Sequence, residues 1–92
     1  MNVKSAIITL LLFDSYSLKD KRSIIKSIIH KTHNKFNVSI AEVKEHDVLN
    51  KAILGLSIVS NNSNKNEHIF NNIVDFVEKN YPVEIIEICD YY

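Results

Sequence analysis

The sequence predicts an α+β fold in which four strands and two helices follow one another in the order βαββαβ. Residues 3–13 form a nearly unbroken apolar run, which is typical of a central strand buried at least partly on both faces. Two later segments carry apolar residues at helical spacing, and three others have the composition and alternation of strands. With right-handed crossovers, two βαβ halves give a ferredoxin-like sandwich, a four-stranded antiparallel sheet with both helices on one face. We expect residues 1–92 to form this single domain.

The first half of the chain contains the start signal of helix one. Ser17 and Asp20 form a predicted capping box, in which hydroxyl and carboxylate stabilise the first turn of the helix. An apolar arc that includes Ile25 and Ile28 predicts a helix lying on the sheet, which we expect to end near Lys35. Alternation over residues 38–43 and the apolar stretch 52–60 predict strands two and three.

The second half contains the other helix and the last strand. Asn64 to Glu67 is a second capping signature, and helix two is expected to run to about Asn80, before Pro82. Residues 83–90 form the predicted last strand, whose alternation places Ile86 and Ile88 under the helices. The same alternation places Val83, Ile85 and Cys89 on the other face.

The composition excludes several classes of site. A single glycine, Gly55, excludes the glycine-rich loops that hold phosphates of nucleotides. A single cysteine cannot form an internal disulfide, and we expect Cys89 to be a buried structural thiol. No Cys/His cluster has the spacing of a zinc site, so we expect neither a metal nor a cofactor. The chain has no apolar segment of membrane-spanning length and no leader pattern, so we expect a cytoplasmic protein without a membrane partner.

The formal net charge of zero hides an uneven distribution. Residues 1–46 hold eight Lys and Arg against four Asp and Glu, whereas residues 47–92 hold three against seven. Most of the excess lies on helix one, in a stripe of Lys19, Arg22, Lys26, His30 and His33. Such a stripe is unfavourable in an isolated helix, and phosphate contact would explain it. The alternative is a solvated face whose many lysines reflect an A/T-rich genome, and exposed imidazoles at His30 and His33.

The uncovered face of the sheet is the second candidate surface. Its predicted residues are aliphatic or carry hydroxyls, and an apolar face of this size favours pairing with a second copy. The predicted homodimer interface comprises Ile7, Thr9, Leu11, Ile53, Gly55 and Ser57. The alternative is a monomer whose face is shielded by the C-terminal Tyr91 and Tyr92.

Two known uses of this fold do not fit the sequence. An RNA-recognition motif stacks bases on aromatic residues of strands one and three, and strand three here has none. Acylphosphatase binds phosphate with a glycine-rich loop that carries an Arg, and residues 14–17 contain neither. The densest titratable cluster, Glu42, Glu45, His46 and Asp47, suits a polar hairpin connection as well as acid–base chemistry. We therefore expect a protein that is not an enzyme.

Two segments carry a family resemblance. Ser17-Leu18-Lys19-Asp20-Lys21-Arg22 and Phe36-Asn37-Val38-Ser39-Ile40-Ala41-Glu42-Val43, followed by Asp47, Ala52 and Gly55, resemble the YlxP-like family of small bacterial proteins of unknown function. The resemblance covers essentially the whole chain, with a departure at Leu49, where relatives often carry Trp. It implies a ferredoxin-like fold.

The resemblance also bears on function. Genes of this family commonly lie among those for translation initiation and ribosome maturation in Gram-positive bacteria, which implies an association with ribosomal RNA or a ribosomal subunit. It makes Lys19, Lys21, Arg22 and Lys26 candidate RNA contacts, beside His30 and His33 of the stripe. By its helical angle, Lys21 lies within the apolar arc, so an inward position near Glu42 or Asp47 stays open.

The sequence therefore predicts a dimeric, ribosome- or RNA-associated accessory factor that contacts phosphates through the helix of residues 17–35. The alternative is a dimeric interaction or regulatory module that works through its open sheet face without nucleic acid.

Overall fold

The computed structural model describes residues 1–91 and has the predicted order of elements. The strands are β1 (Asn2–Leu12), β2 (Ser39–Lys44), β3 (Lys51–Ser60) and β4 (Val83–Tyr91). The helices are α1 (Leu18–Phe36) and α2 (Ser63–Asn80). The ferredoxin-like prediction is confirmed.

The four strands form one antiparallel sheet in the order β2-β3-β1-β4. β1 is central, as its nearly continuous apolar sequence predicts, and it pairs with β3 from Asn2 opposite Ser60 to Leu11 opposite Lys51. β2 and β4 are the edges of the sheet. Helix α1 packs against β2, so its solvent-facing side adjoins that edge.

The core lies between the sheet and the two helices. Residues of β1 and β3 with even numbers supply its sheet side, and residues spaced three or four apart on α1 and α2 cover them. The core comprises Ala6, Ile8, Leu10, Leu12, Ile25, Ile28, Val38, Ala52, Leu54, Leu56, Ile58, Phe70, Ile73, Val77 and Val83.

Both helices begin at side-chain caps. The Asp20 N–H donates to Ser17 Oγ at 3.1 Å, as predicted, and the Asp20 carboxylate accepts from the N–H of Tyr16. The predicted start of α2 is wrong by two residues. Asn62 is the cap, because its Oδ1 accepts from the N–H groups of Asn64 and Lys65 at 2.8 and 3.2 Å.

The predicted facing of β4 is wrong at its start. The register between β1 and β4 shifts between Thr9 and Leu10, where β4 holds one extra residue. Ile85 therefore lies opposite Leu10 on the helix side and packs against the core, instead of on the open face. Val83 is buried for the same reason, whereas Ile86 lies at the shift and is half exposed. Alternation alone cannot locate a bulge. One extra residue in the strand exchanges the two sheet faces for all the strand residues that precede it.

A polar cluster joins the start of β1 to α2 and β4. Lys4 Nζ lies 2.9 Å from both Glu67 and Asp90, and 4.8 Å from the centre of the Phe70 ring. Burial works to lower the pKa of Lys4, but hydrogen bonds and charges from the two carboxylates outweigh it and raise the pKa above its usual value. The Asn66 amide also donates to the Asn2 carbonyl at 3.2 Å.

Candidate nucleic-acid interface

The basic stripe, defined as Lys19, Arg22, Lys26, His30 and His33, lies entirely on the exposed surface of α1. At about 1.5 Å per residue, the stripe is roughly 21 Å long, with about 6 Å between groups four residues apart. That spacing is comparable to the separation of successive phosphates along a nucleic acid strand. The helix therefore presents a row of cationic and imidazole groups to solvent at phosphate-like intervals.

Arg22 is the one stripe residue with a protein carboxylate as its partner among the described residues. Its Nη2 lies 3.5 Å from Asp47 Oδ1, and the two side chains are 63% and 85% exposed. An ion pair this exposed contributes about 0–1 kcal/mol, because water screens it and both side chains lose freedom. A phosphate can replace Asp47 at little cost.

The two stripe histidines differ in their surroundings. His33 Nδ1 lies 2.7 Å from the Val38 carbonyl, so its N–H donates there and connects the end of α1 to the start of β2. Asn37 between them caps α1 in the left-handed conformation, and its N–H donates to the His33 carbonyl. His30 lies within hydrogen-bond distance of the Asn34 amide on the exposed surface. His33 thus supports the fold as well as lining the surface.

Lys21 is not on the interface, and its prediction as an RNA contact is wrong. The residue is 1% exposed, and its Nζ donates to the Glu45 carbonyl and lies 3.2 Å from Glu42 Oε2. The contact with Glu42 is an ion pair by distance but lacks hydrogen-bond geometry. A buried cation of this kind cannot reach a phosphate. The inward position, which the helical angle of Lys21 left open, is the one observed.

A groove of about 450 Å³ runs between the basic stripe and edge strand β2. Ile25, Ile29 and Ile40 give it an apolar lining, since Ile40 faces α1 from β2. Polar groups complete its walls, namely Arg22, Lys26, His30, His33 and Glu42. The structure thus brings four of the predicted contacts around an apolar surface that the sequence did not reveal.

Sequence reasoning missed the groove because its apolar residues follow the same periodic pattern as the residues of the core. Ile29 and Ile40 continue the apolar arcs of their elements, and both are partly buried against the core. The one feature of the sequence that indicates contact with solvent is their position at the edges of those arcs. The gap between α1 and β2 follows from packing, which periodicity does not describe.

The cluster around the β2–β3 turn does not form a common acid–base site. Glu42 faces α1 and pairs with Lys21, whereas Asp47 is exposed beside Arg22. His46 Nε2 lies 3.2 Å from the Glu42 carbonyl, so the imidazole closes the turn. Glu45 contributes its carbonyl to Lys21, at a left-handed φ of 64°. Within residues 1–91, no group of three or more His, Cys, Asp or Glu side chains has the arrangement of a metal site.

The predicted dimer residues lie at the centre of the open sheet face, where one of them is buried and five are partly exposed. Thr9 is 5% exposed, so it leaves almost no surface for a partner. The other five are intermediate in exposure, namely Ile7, Leu11, Ile53, Gly55 and Ser57. The more exposed apolar residues of this face surround them: Val3, Val43, Val59 and Tyr91.

Two residues of β4 differ from their predicted environments on this face. Cys89 lies opposite Ile7 and is exposed, so the prediction of a buried thiol is wrong. The reason is that β4 is an edge strand, and no helix packs over this face of the sheet within residues 1–91. Tyr91 belongs to β4, opposite Ser5, and is 63% exposed, so it does not cover the face as a tail. Tyr92 lies outside the described residues.

Gly55 makes the open face concave. A Cβ at this position would lie 3.1 Å from Val43 Cγ1, so the β2 side chain leans over the glycine. A depression of about 380 Å³ lies over this point, bordered by Ile7, Gly55, Val43 and Tyr91 among others. The glycine thus serves strand packing rather than a phosphate loop.

The topology and the basic helix define a ferredoxin-like α+β protein with a cationic α1. A de novo designed protein with ferredoxin fold, solved by solution NMR, superposes with a TM-score of 0.63 over 100% of this chain and 87% of the design, at 14% identity. That likeness shows the fold alone. The chain belongs to the family described as protein of unknown function DUF503, whose model matches residues 3–89.

A sequence relative points to the same family. The chain is 31% identical over 74 residues to the uncharacterized protein YlxP of Bacillus subtilis (strain 168). The matched segment covers 80% of each chain. The YlxP-like resemblance is therefore confirmed. Within residues 1–91, neither helix combines the length and the hydropathy that a membrane span requires.

Proposed function

We propose that this protein is a non-enzymatic accessory factor that binds RNA, in the ribosome or its precursors, through the basic stripe of α1. The observation that carries the proposal is the stripe itself, whose five residues are all exposed along one helix. Grouping cations in this way opposes helix stability, and an array of phosphates supplies the compensating charge.

The charges nearby support this use of the stripe. Lys21 neutralises Glu42 inside the protein, so Glu42 does not offset the cations outside. Asp47 is the acid that reaches the stripe, and its exposed pair with Arg22 is weak. Lys19 and Lys26 have no acid within ion-pair distance among the described residues. Three full cations are thus available to phosphates.

Co-sedimentation with small ribosomal subunits tests the proposal in its natural setting. Changing Lys19, Arg22 and Lys26 together to Glu is expected to abolish co-sedimentation while the protein stays folded. The matched control changes Lys31, Lys65 and Lys79 to Glu, because these exposed lysines alter the net charge equally outside the stripe. Equal loss in both variants, or no sedimentation of the wild type, would refute the proposal.

Salt dependence gives a second, quantitative test. Three phosphate contacts on a single strand predict a slope near −2 for log K against log salt, or about 20-fold weaker binding between 50 and 200 mM. Fluorescence anisotropy with a labelled RNA measures this slope. A slope near zero would mean that the stripe does not carry the affinity.

The second candidate function is a dimeric interaction module that uses the open sheet face. It is favoured by the adjacent Val3 and Val59, which lie opposite each other and are 53% and 61% exposed. Light scattering tests it directly, and Val59→Lys is expected to convert a dimer to a monomer. A wild type that stays monomeric at every concentration would exclude this interface.

A further inference from the structure

The groove beside the basic stripe combines two surfaces that nucleotides use. Its apolar lining is formed by Ile25, which is 2% exposed, and by the partly buried Ile29 and Ile40. Arg22 and Lys26 border it with full positive charges, and His30 and His33 add imidazoles. The rim of the groove is thus cationic, and its surface between the helix and β2 is apolar.

We infer that this groove holds an unpaired base of an RNA strand whose flanking phosphates lie on Arg22 and Lys26. Three of the lining groups are planar, namely the Arg22 guanidinium and the two imidazoles, and such planes are the surfaces on which unstacked bases lie. The volume of about 450 Å³ leaves room for a base with part of its sugar. This inference rests on the proposed function and adds the class of RNA: a loop, bulge or single strand, since duplex bases stay stacked inside the helix.

Glu42 adds a preference among bases. It is the one acid in the described lining, and its carboxylate pairs with the buried Lys21. With Lys21 balancing its charge, Glu42 does not repel the phosphates, yet its carboxylate can accept N–H donors from a base edge. Its Oε2 is buried beside Lys21, so only the other carboxylate oxygen can face the groove, and this favours a base with an N–H donor on its edge.

The first experiment compares RNA shapes on the unmodified protein. Fluorescence anisotropy at 50 mM salt would measure a labelled 12-nucleotide single strand against a 12-base-pair duplex of the same sequence. Phosphate contact alone favours the duplex, because its charge density is higher. A base in the groove is expected to make the single strand about tenfold tighter, from the usual contribution of one stacked base. A duplex that binds as tightly as the single strand would overturn the inference.

The second experiment occupies the groove without removing charge. Ile29→Lys and Ile40→Lys each add a cation and place a long side chain in the groove, from α1 and from β2 respectively. Phosphate contact alone predicts tighter binding of every RNA, whereas the base site predicts about tenfold weaker single-strand binding. Val43→Lys is the matched control, since it adds the same charge on β2 but faces away from the groove. Circular dichroism melting identifies the variants that fold. The comparison of single strand and duplex on the wild type does not depend on these variants.

The outcomes separate this inference from the proposal on which it rests. Equal binding of single strand and duplex, lost in the Lys19, Arg22 and Lys26 charge reversal, would keep the proposed function and refute the base site. No binding of either RNA would refute both. In that case, capture of a labelled 12-residue peptide of alternating Leu and Asp, lost in Ile40→Lys, would assign the groove to an acidic protein segment.

Discussion

Replacing the buried Lys21 by Met is the most informative single change to the fold. The side chain is 1% exposed, and its charge balances Glu42, whose side chain is 15% exposed. Breaking a buried ion pair costs about 3–5 kcal/mol, and the remaining water contact of Glu42 favours the lower end. The Glu45 carbonyl also loses its donor, which adds about 1 kcal/mol. We therefore expect Lys21→Met to cost about 4 kcal/mol.

That loss is a large part of the stability of a chain of this size. A domain of 92 residues has a free energy of unfolding of roughly 5–14 kcal/mol. Each kcal/mol shifts the Tm by about 4–8 °C in such domains, so the variant is expected to melt roughly 15–30 °C lower. Circular dichroism melting and urea unfolding at one fixed protein concentration measure the change.

A double-mutant cycle then tests the pair itself. Glu42→Leu alone leaves Lys21 buried without its counter-charge, whereas Lys21→Met with Glu42→Leu removes both charges. The double variant is expected to be more stable than Lys21→Met, with a coupling of about 2–3 kcal/mol. Additive single effects would show that the two charges do not interact in the folded protein, and the argument would fail.

Three further changes test other features. Glu45→Gly relieves the left-handed φ of 64° and keeps the carbonyl that Lys21 binds, so urea unfolding is expected to show a gain of roughly 0.5–1 kcal/mol; a loss would contradict this strain. Asn62→Ala is expected to cost about 1 kcal/mol and Asn64→Ala less, because Asn62 is the observed cap; the reverse order would favour the predicted one. Lys4→Met is expected to be less stable than the wild type near neutral pH by about 1 kcal/mol or less. Because the pKa of Lys4 is raised by folding, the advantage is full below its usual value of 10.5 and declines above it, and a pH-independent difference would exclude this linkage.

The topology was predictable because each element has a strong local signal. The apolar run of β1 indicates burial on both faces, and Ser17 and Pro82 mark a helix start and a helix end, so the order βαββαβ follows without tertiary information. The helical angle of Lys21 was sufficient to predict its inward position. Its prediction as an RNA contact was wrong because Lys21 was grouped by charge with the exposed basic residues of α1, although it lies inside the apolar arc.

The remaining errors arise where geometry departs from simple periods. The register shift beside Thr9 exchanges the faces of Val83 and Ile85, and no residue type in β4 marks its position. Cys89 is exposed because β4 lies at an edge, which depends on strand order rather than on local sequence. The groove lined by Ile29 and Ile40 is likewise a product of how far α1 stands from β2.

The bond from Lys21 to the Glu45 carbonyl restricts the length of the β2–β3 connection. Since the acceptor belongs to the main chain, the side chain at position 45 is free to change, but the distance from Glu42 to that carbonyl is not. An inserted residue here would move the carbonyl away from Lys21, and its buried ammonium group would lose this hydrogen bond. Insertions should therefore accumulate at the exposed residues 61 and 62 between β3 and α2, while the connection after β2 keeps its length.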